Sequence, residues 1–582
     1  MTRLIRMSFI VSGLLVLLLG RAAVGLEGAR SATVGLLPET ERITAETLRA
    51  HISFLASDSL GGRHLGSPGL DKAMQYAEHQ LSAAGLAAVV GRPAPAIGGL
   101  KSGADGLKTK TGPAKARIQG EPAGGYFQPV PIVQRTATGS VTMRIKERGK
   151  IQSFVQGEDF KVILGDMRPC EGRPLPVVFA GYGISEPELG WDDLKGLDLR
   201  GKAVVFLPGA PLKEGEPILP ASIHAQYARV SSIMKKVFPL FFKRPAALLI
   251  VADDEIESLW DAVPAVTDAP HFAYGNEDPE ALHFCCICII RPSVVKALFA
   301  GQTKVPVGSG FCGTPGRSIS GAQRGSVDSA GPSAPPAVTT SSAQETAQGF
   351  ALKNVSLTLD GEFTEESVPA GNMVGIVRGS DPSLARQCVV LTAHLDTNPP
   401  SNGEIMNGAD DNASGCAALF EIARAVASNP PKRSVVFVLF CGEEGGSIGA
   451  RHFVSSCPIP VSSIVADINL DGIGRSDPAE TERTVFALDS GKFTPALTRL
   501  IGNVNARTVN WPIKYEYMMG YSDNLMFHAV GIPAANFYSG HHEDVNMPTD
   551  DIEKIDFEKA EKVSRLVYEL TMELANSHKL WR

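Results

Sequence analysis

The stretch at residues 435–440 reads Val-Val-Phe-Val-Leu-Phe, and Cys-Gly-Glu-Glu-Gly follows it at 441–445. Six apolar residues in succession are typical of a strand that is buried on both faces. Such a strand needs helices on both sides of its sheet. The stretch therefore predicts an α/β architecture, with an acidic pair placed where the strand ends.

Three further apolar runs in the C-terminal half repeat this pattern. They lie at 389–391, 464–470 and 534–538. Strands that alternate with helices predict a mainly parallel, doubly wound sheet with helices on both faces, and we assign this domain to residues 350–582. The segments with helical spacing are 414–427, 448–455, 495–504 and 557–574.

Acidic residues or histidines follow all four apolar runs, at or just beyond the end of each strand. In open α/β sheets, ligands bind outside the carboxyl ends of the strands. We therefore expect these side chains to converge on one pocket, although they span about 150 residues of sequence. In chain order they are His394 and Asp396, then Glu443 and Glu444, then Asp471, and finally His541, His542, Glu543 and Asp544.

A tight loop at 408–415, Gly-Ala-Asp-Asp-Asn-Ala-Ser-Gly, adds a second acidic pair before a helix. One interpretation is helix capping, because Asn412 or Ser414 is a good N-cap and acids suit a helix N-terminus. The other is ligation of a metal ion by Asp410 or Asp411. Beside the other carboxylates, ligation is the better interpretation.

Crowded carboxylates repel each other unless a cation neutralises them. Oxygen-rich sites with one or two imidazoles suit Zn, and also Mn or Co. Two divalent ions that share a carboxylate would lower the pKa of a bound water and stabilise a tetrahedral intermediate. Glu443 and Glu444 lie between glycines and can point in different directions, so one can bind metal while the other acts as the base.

Four motifs carry a resemblance to a known family. The set resembles the co-catalytic zinc aminopeptidase family, which includes secreted bacterial leucyl aminopeptidases and is related to glutamate carboxypeptidase and the transferrin receptor. The resemblance covers about residues 368–576 and implies a sheet of the zinc exopeptidase type. The motifs are His-x-Asp at 394–396, the loop at 408–415, Cys-Gly-Glu-Glu-Gly at 441–445 and Asn-Leu-Asp-Gly-Ile-Gly at 469–474.

The resemblance implies a role for each motif residue and two zinc ions as cofactors. It implies that Glu443 is the general base and that Asp396 orients a ligand histidine. Ser522 and Asp523, in Ser-Asp-Asn-Leu-Met-Phe at 522–527, are implied to line the substrate pocket. The implied ligands are His394 and Asp471 for the first ion, Glu444 for the second, and Asp411 as the bridge between them.

The last implied ligand departs from the family pattern. Many members carry a histidine in a stretch that aligns here with Asp-Val-Asn-Met-Pro-Thr-Asp at 544–550, so Asn546 takes its place. An amide oxygen is a weaker and harder ligand for zinc than an imidazole nitrogen. His541 or His542 could substitute for it; otherwise the second metal site is weak or empty.

Composition and further motifs organise the rest of the 582 residues. With 44% hydrophobic and 20% charged residues and a formal charge of −7, the chain is neither wholly disordered nor a polytopic membrane protein, and it is not a general nucleic-acid binder.

Residues 181–183, 191–193 and 201–205 resemble a protease-associated domain. The predicted segments are 40–87, an N-terminal helical part of the peptidase domain; 90–124, a loop or insertion; 126–300, a β-rich region with a protease-associated domain at about 172–300; and 301–349, a low-complexity linker.

The first 25 residues resemble an export signal. Arg3 and Arg6 precede an apolar run at 7–19, and Ala-Val-Gly at 23–25 offers a cleavage site. We expect a signal peptide at 1–25, with an uncleaved anchor as the alternative, and a secreted or periplasmic protein without a membrane span after signal removal. Nine cysteines, an odd number and mostly in apolar runs, do not suggest a disulfide framework.

The leading expectation is a secreted metallo-aminopeptidase that acts on peptides or proteins. A carboxypeptidase is one alternative. A catalytically impaired, peptidase-like binding or scaffold protein is the other, although clustered carboxylates argue against it. The sequence does not specify the preferred N-terminal residue, the metal or the oligomeric state.

Overall fold

A computed structural model describes residues 38–89, 125–165, 167–168, 170–213, 216–230, 233–275, 285–302, 349–400, 402–478, 480, 483–489, 494–516 and 522–579. The predicted signal peptide, the 90–124 loop and almost all of the 301–349 linker lie outside these residues. The described residues form two units. Unit 1 takes the described parts of 137–269 and 284–363, and unit 2 takes the described parts of 21–136, 270–283 and 364–582.

The described residues include eleven α-helices and several short 3₁₀ turns. The α-helices are α1 (Ala45–Leu55), α2 (Pro68–Ala83), α3 (Ala221–Tyr227), α4 (Met234–Phe241), α5 (Asp254–Ser258), α6 (Pro292–Phe299), α7 (Gly415–Ser428), α8 (Ile448–Ser455), α9 (Pro495–Arg507), α10 (Asn524–Ala529) and α11 (Phe557–Asn576). The 3₁₀ turns are Pro38–Arg42, Asp58–Leu60, Pro187–Leu189, Trp260–Ala262, Val266–Asp268, Val461–Ser463 and Ile552–Lys554.

The described strands number twenty-four. Those before residue 300 are β1 (Ala87–Ala88), β2 (Phe127–Pro129), β3 (Ile132–Ala137), β4 (Thr142–Glu147), β5 (Lys150–Val155), β6 (Phe160–Leu164), β7 (Leu175–Phe179), β8 (Ser185–Glu186), β9 (Trp191–Asp192), β10 (Ala203–Phe206), β11 (Leu212–Lys213), β12 (Glu216–Pro217), β13 (Ala247–Val251), β14 (His271–Tyr274) and β15 (Cys286–Ile290). Those after it are β16 (Phe350–Asp360), β17 (Phe363–Val368), β18 (Gly371–Val377), β19 (Cys388–His394), β20 (Ser434–Phe440), β21 (Ile464–Leu470), β22 (Val485–Asp489), β23 (Ile513–Glu516) and β24 (Ala534–Tyr538).

The main sheet of unit 2 has the strand order β1-β18-β20-β19-β21-β24-β22-β23, with β2 also paired to β18. Its centre, β20-β19-β21-β24, is parallel. The neighbours β18 and β22 run antiparallel to that centre. The predicted α/β class is confirmed; the sheet is mixed, with the expected parallel arrangement at its centre and again between β22 and β23.

Helices cover both faces of this central sheet. Val389 and Leu391 of β19 belong to the same buried cluster as residues of α1, α7 and α11. On the other face, the ring of Phe440 in β20 packs against Phe453 of α8 and Phe527 of α10, with centroids 5.7 and 6.3 Å apart. Burial on both faces explains why the central strands are nearly continuous apolar runs.

The N-terminal segment of unit 2 is two helices joined by a glycine-rich connection. Thr44 caps α1 through its side chain, and Ser67 caps α2 with Pro68 in the first turn. The packing is close: a Cβ atom on Gly69 would lie 1.8 Å from the carbonyl oxygen of Gly62. The motif Gly-Ser-Pro-Gly at 66–69 therefore begins α2 and allows the backbone to approach the preceding loop.

Unit 1 is built on an eight-stranded sheet of order β5-β4-β16-β7-β10-β13-β15-β6. The strands β7, β10, β13 and β15 are parallel. The sequence assigned residues 350–360 to the catalytic domain, but β16 pairs with β4 and β7 and belongs to unit 1. Conversely, β3 and β14 pair within unit 2, in a three-stranded sheet with β17. Pairing partners remote in sequence decide these boundaries.

Among the helices that the structure describes, none has both the length and the apolar character needed to cross a membrane.

Candidate metal centre

The central parallel strands bring the predicted polar residues to one edge of the sheet. His394 is the last residue of β19, Asp471 directly follows β21, and the pair Glu443 and Glu444 follows β20 after two residues. The parallel pairing of β19 with both β20 and β21 places these three strand ends side by side. This is the edge at which α/β sheets bind ligands.

Three of these side chains form what we call the first donor group: His394, Asp411 and Asp471. The Nε2 atom of His394 lies 3.0 Å from Asp471 Oδ1 and 3.2 Å from Asp411 Oδ1. One ligand atom from each residue falls within 4.8 Å of the others. The imidazole is buried, with 1% of its surface exposed, and both carboxylates are largely buried. One nitrogen and two oxygens at this spacing can hold a divalent ion.

The loop that carries Asp411 has an unusual backbone. Gly408 has φ +54°, and a Cβ atom there would lie 2.2 Å from the carbonyl oxygen of Asp411, so glycine is required. The peptide bond between Asp411 and Asn412 is cis. Asn412 does not point to the first donor group. Its side-chain nitrogen donates to the carbonyl oxygen of Leu470, and its side-chain oxygen accepts the N–H group of Gly415. These two hydrogen bonds connect the loop to the end of β21 and the start of α7.

The electrostatics of this edge favour a cation. Burial raises the pKa of both Glu443 and Glu444 well above its usual value, and nearby carboxylates add to the shift against the opposing effect of His394. Burial lowers the pKa of His394, but the carboxylates of Asp471 and Asp411 outweigh it and raise that pKa strongly. Apart from His394 Nε2, 3.2 Å away, the buried Oδ1 atom of Asp411 has no hydrogen-bond partner among the described residues.

Asp396 connects the histidine to the acidic pair. Its main-chain oxygen lies 3.1 Å from His394 Nδ1, whereas its carboxylate is 3.8 Å from the same nitrogen. That carboxylate accepts the N–H groups of Glu443 at 3.1 Å and Glu444 at 3.3 Å. Asp396 therefore accepts a hydrogen bond from the buried His394 imidazole with its backbone oxygen. Its side chain positions the loop that carries Glu443 and Glu444. Glycines flank that loop, with φ +74° at Gly442 and +95° at Gly446.

Glu444 lies in a second donor group together with Asn398 and Asn546. The Asn398 Nδ2 atom donates to Glu444 Oε2 at 2.5 Å and contacts Oδ1 of Asn546. With its amide rotated, Asn546 can instead donate to Glu444 Oε1 at 3.1 Å. All three side chains are partly exposed. The group offers oxygen atoms and no imidazole.

His542, the sequence-based alternative to Asn546, is engaged elsewhere. Its Nε2 atom lies 3.1 Å from Asp410 Oδ2. The other oxygen of Asp410 accepts from Ser414 at 3.1 Å and from the N–H of Gly474. Asp410 is thus held by partners outside the first donor group, next to Asp411 in the sequence. His541 stands beside the Tyr538 hydroxyl, with its Nδ1 atom 3.2 Å away.

The two predicted pocket residues are both buried. Ser522 exposes 2% of its surface and accepts a hydrogen bond from Asn469 at 2.7 Å. Asp523 exposes none, and burial raises its pKa to about 8. They lie next to the polar side chains of the strand ends, so their role in a substrate pocket stays a prediction.

Sequence reasoning missed several residues that position the site, among them Asp550 and Asn398. Asp550 is buried and accepts the N–H groups of Asp410 and Asp411, at 3.0 to 3.1 Å. Its position at the end of the quoted 544–550 stretch was the available signal. Asn398, two residues beyond Asp396, carries no motif signal, and only the fold shows its contact with Glu444.

The fold and this edge define a class: α/β proteins with a carboxylate and imidazole metal centre at the ends of parallel strands. Residues 372–571 match the model of peptidase family M28. The match confirms the predicted resemblance to the co-catalytic zinc aminopeptidases over that segment, which is about a third of the chain and carries both donor groups.

Individual relatives are similar over limited lengths. Aminopeptidase YwaD of Bacillus subtilis is 31% identical over 209 residues, which are 33% of this chain and 42% of that protein. A probable zinc metalloprotease of Pyrenophora tritici-repentis is 42% identical over 69 residues, 12% of this chain and 16% of that one. The matches thus span less than half of these curated relatives. An aminopeptidase structure from Aneurinibacillus sp. strain AM-1 aligns over 93% of this chain and 96% of its own, with 18% identity and a TM-score of 0.44.

Proposed function

We propose that this protein is a zinc-dependent aminopeptidase that hydrolyses the N-terminal peptide bond of peptides. The observation that carries the proposal is the first donor group, in which His394, Asp411 and Asp471 bring ligand atoms within 4.8 Å of one another. The family match and the relatives named as an aminopeptidase and a zinc metalloprotease support it.

The residues at this edge fit divalent zinc. The first donor group supplies an imidazole nitrogen and carboxylate oxygens, which are common zinc ligands. Asp411 has a buried oxygen whose one nearby partner among the described residues is His394 Nε2, and the acidic pair has raised pKa values. A dication would satisfy that oxygen and offset the repulsion. We assign His394 and Asp471 to one ion, Glu444 and Asn546 to the other, and Asp411 to both.

Bound zinc would lower the pKa of a water molecule and polarise the scissile carbonyl. Glu443, which takes no hydrogen bond from another side chain among the described residues, is the general base. It takes the proton from the attacking water and passes it to the leaving amine. The carboxylate of Asp396 fixes the main chain of Glu443 through the 3.1 Å hydrogen bond, which holds the base at the strand end.

The first 25 residues lead us to place the protein outside the cytoplasm, secreted or periplasmic. The basic residues at 3 and 6, the apolar run at 7–19 and the small residues at 23–25 support this placement. Cell fractionation of the full chain and of a chain lacking residues 1–25 tests it. Retention of both in the cytoplasm would contradict an export signal.

A peptidase-like binding protein is the second candidate, and one observation favours it. Glu444 is hydrogen-bonded to Asn398, and Asn546 stands where an imidazole would make a stronger zinc ligand. If the second ion does not bind, a substrate could be held without being cleaved.

The decisive experiment compares three peptides of one sequence. One has a free N-terminus, one an acetylated N-terminus, and one an amidated C-terminus. The proposal predicts cleavage of the first and third after zinc is added to chelated protein, and none of the second. Cleavage that requires a free C-terminus would indicate a carboxypeptidase. Binding of all three without cleavage would indicate the binding protein.

A further inference from the structure

Arg63 is a fully buried arginine close to the metal centre that the proposed mechanism does not use. Its surface is 0% exposed, and its guanidinium group forms no ion pair among the described residues. Burying a guanidinium group without a carboxylate is costly unless its N–H groups are satisfied. The reason for its position should therefore be visible in its hydrogen bonds.

Those hydrogen bonds all go to main-chain oxygens. Nε donates to Leu395 at 2.9 Å, Nη1 to Asn407 at 2.6 Å and to Leu55 at 2.7 Å, and Nη2 to Gly408 at 3.1 Å. The planar fork of an arginine can reach several acceptors in fixed directions, which a lysine ammonium cannot do.

Three of these four acceptors lie beside two members of the first donor group, whereas the fourth, Leu55, ends α1. Leu395 directly follows His394, and Gly408 lies three residues before Asp411. His394 ends β19 and Asp411 lies on a separate loop, yet their ligand atoms are 3.2 Å apart. One guanidinium group bonded to the main chain of both segments fixes their separation.

The Arg63 backbone is itself anchored to the same place. Its N–H group donates to Thr397 Oγ1 at 2.9 Å. Gly62 has φ +82° and packs close to Met406. A Cβ atom on Gly62 would lie 3.3 Å from the carbonyl oxygen of Met406. The Gly-Gly-Arg sequence at 61–63 thus brings the N-terminal segment against the loops of the metal centre.

We propose that Arg63 is a positioning residue that sets the distance between His394 and Asp411 and thereby the affinity of the first metal ion. This inference rests on the proposed zinc-dependent function. Groups that orient metal ligands commonly contribute 10–100-fold to metal affinity. Because the role lies in the geometry of the fork, the positive charge of a lysine should not replace it.

Arg433 provides a matched control. It is also buried, with 1% exposure, and its Nη1 atom donates to the main-chain oxygens of Leu574 at 2.9 Å and Ser577, while Nε donates to Gln387. It lies directly before β20, at the opposite end from the acidic pair. Arg433→Lys should lower stability by loss of similar bonds without moving the donor group.

The test is a zinc titration of chelated parent, Arg63→Lys and Arg433→Lys, each checked for folding by circular dichroism and thermal melting. We expect Arg63→Lys to bind its tightest zinc at least ~10-fold more weakly, and Arg433→Lys to bind it as the parent does. Parent-like affinity in Arg63→Lys, or equal weakening in both variants, would overturn the proposal. A parent that binds no zinc would refute the proposed function itself, and this inference with it.

If Arg63→Lys does not fold, Thr397→Val serves instead. It keeps the shape of the side chain and removes only the acceptor of the Arg63 N–H group. Loss of one such hydrogen bond predicts zinc binding about 3-fold weaker. Unchanged affinity in a folded Thr397→Val protein would contradict the proposal.

Discussion

The first and second donor groups differ in the chemistry of their ligand atoms and in the secondary structure that holds their residues. In the first, His394 ends β19 and Asp471 directly follows β21, so regular structure holds two of its three members. In the second, Glu444, Asn398 and Asn546 all lie on loops, and Asn546 has φ +56°. The first has an imidazole and the second only carboxylate and amide groups. Ligands that the sheet holds in place need little reorganisation, so we expect unequal affinities for two ions, tight at the first group and weak at the second.

The largest effect is expected at a residue outside both groups. Glu443→Gln should reduce kcat by at least ~100-fold, the usual scale for a general base, and leave zinc binding at both groups nearly unchanged. Steady-state kinetics and metal analysis of the same preparation check this. Loss of zinc in Glu443→Gln, with retention in Glu444→Gln, would reverse the two roles.

Removing the imidazole of His394 tests the difference between the two donor groups most directly. His394→Ala should weaken the tight zinc by at least ~100-fold, beyond what loss of a supporting residue costs. His542→Ala is the matched control, because this buried histidine bonds Asp410 and belongs to neither donor group. If His542→Ala loses an ion and His394→Ala keeps both, the donor groups are wrongly composed.

Adding an imidazole should make the two groups more alike. Asn546→His should tighten the weaker zinc by about 10-fold, since an imidazole nitrogen binds zinc better than an amide oxygen does. The tighter ion should be unaffected. Calorimetric titration of parent and variant measures both affinities. No change in Asn546→His, together with loss of the weaker ion in His542→Ala, would make His542 the second-site ligand.

The smallest effect is expected from deleting residues 310–345. Their composition predicts no buried core, and loop length affects stability only weakly. Both zinc affinities and the melting temperature should stay close to those of the parent. A large fall in melting temperature would show that the segment packs against a folded unit, and altered zinc affinity would connect it to the donor groups.

The sequence predicted the centre of unit 2 well because local pattern dictates it. The runs at 464–470 and 534–538 coincide with β21 and β24, and the helix predicted at 448–455 coincides with α8. Strands buried on both faces are mostly apolar, and the apolar residues of an amphipathic helix repeat every three to four positions. These signals need no knowledge of distant contacts.

Features that depend on distant pairing were not predictable. Nothing in residues 350–360 indicates pairing with β4 and β7, and nothing in 271–274 indicates that this strand pairs with β3 in unit 2. The antiparallel edges of the main sheet are likewise decided by which strand lies next to β20 and β24.

The candidate site likewise contains residues that the sequence could identify and residues that it could not. Motif residues such as His394 and Glu444 were identifiable because clustered acids and histidines after apolar strands are chemically informative. Arg63 and Asn398 were not, since their importance lies in which atoms they reach, about 330 residues away in one case and 46 in the other. A buried arginine bonded to main-chain oxygens leaves no pattern in a single sequence.

The central claim is that zinc bound at these two groups hydrolyses peptides from a free N-terminus. The most direct test measures hydrolysis of an aminoacyl chromogenic substrate while zinc is added stepwise to chelated protein. The account predicts that activity appears with zinc and continues to rise until the second, weaker equivalent has bound. Zinc binding without hydrolysis of any aminoacyl substrate, or hydrolysis that persists in the chelated protein, would contradict it.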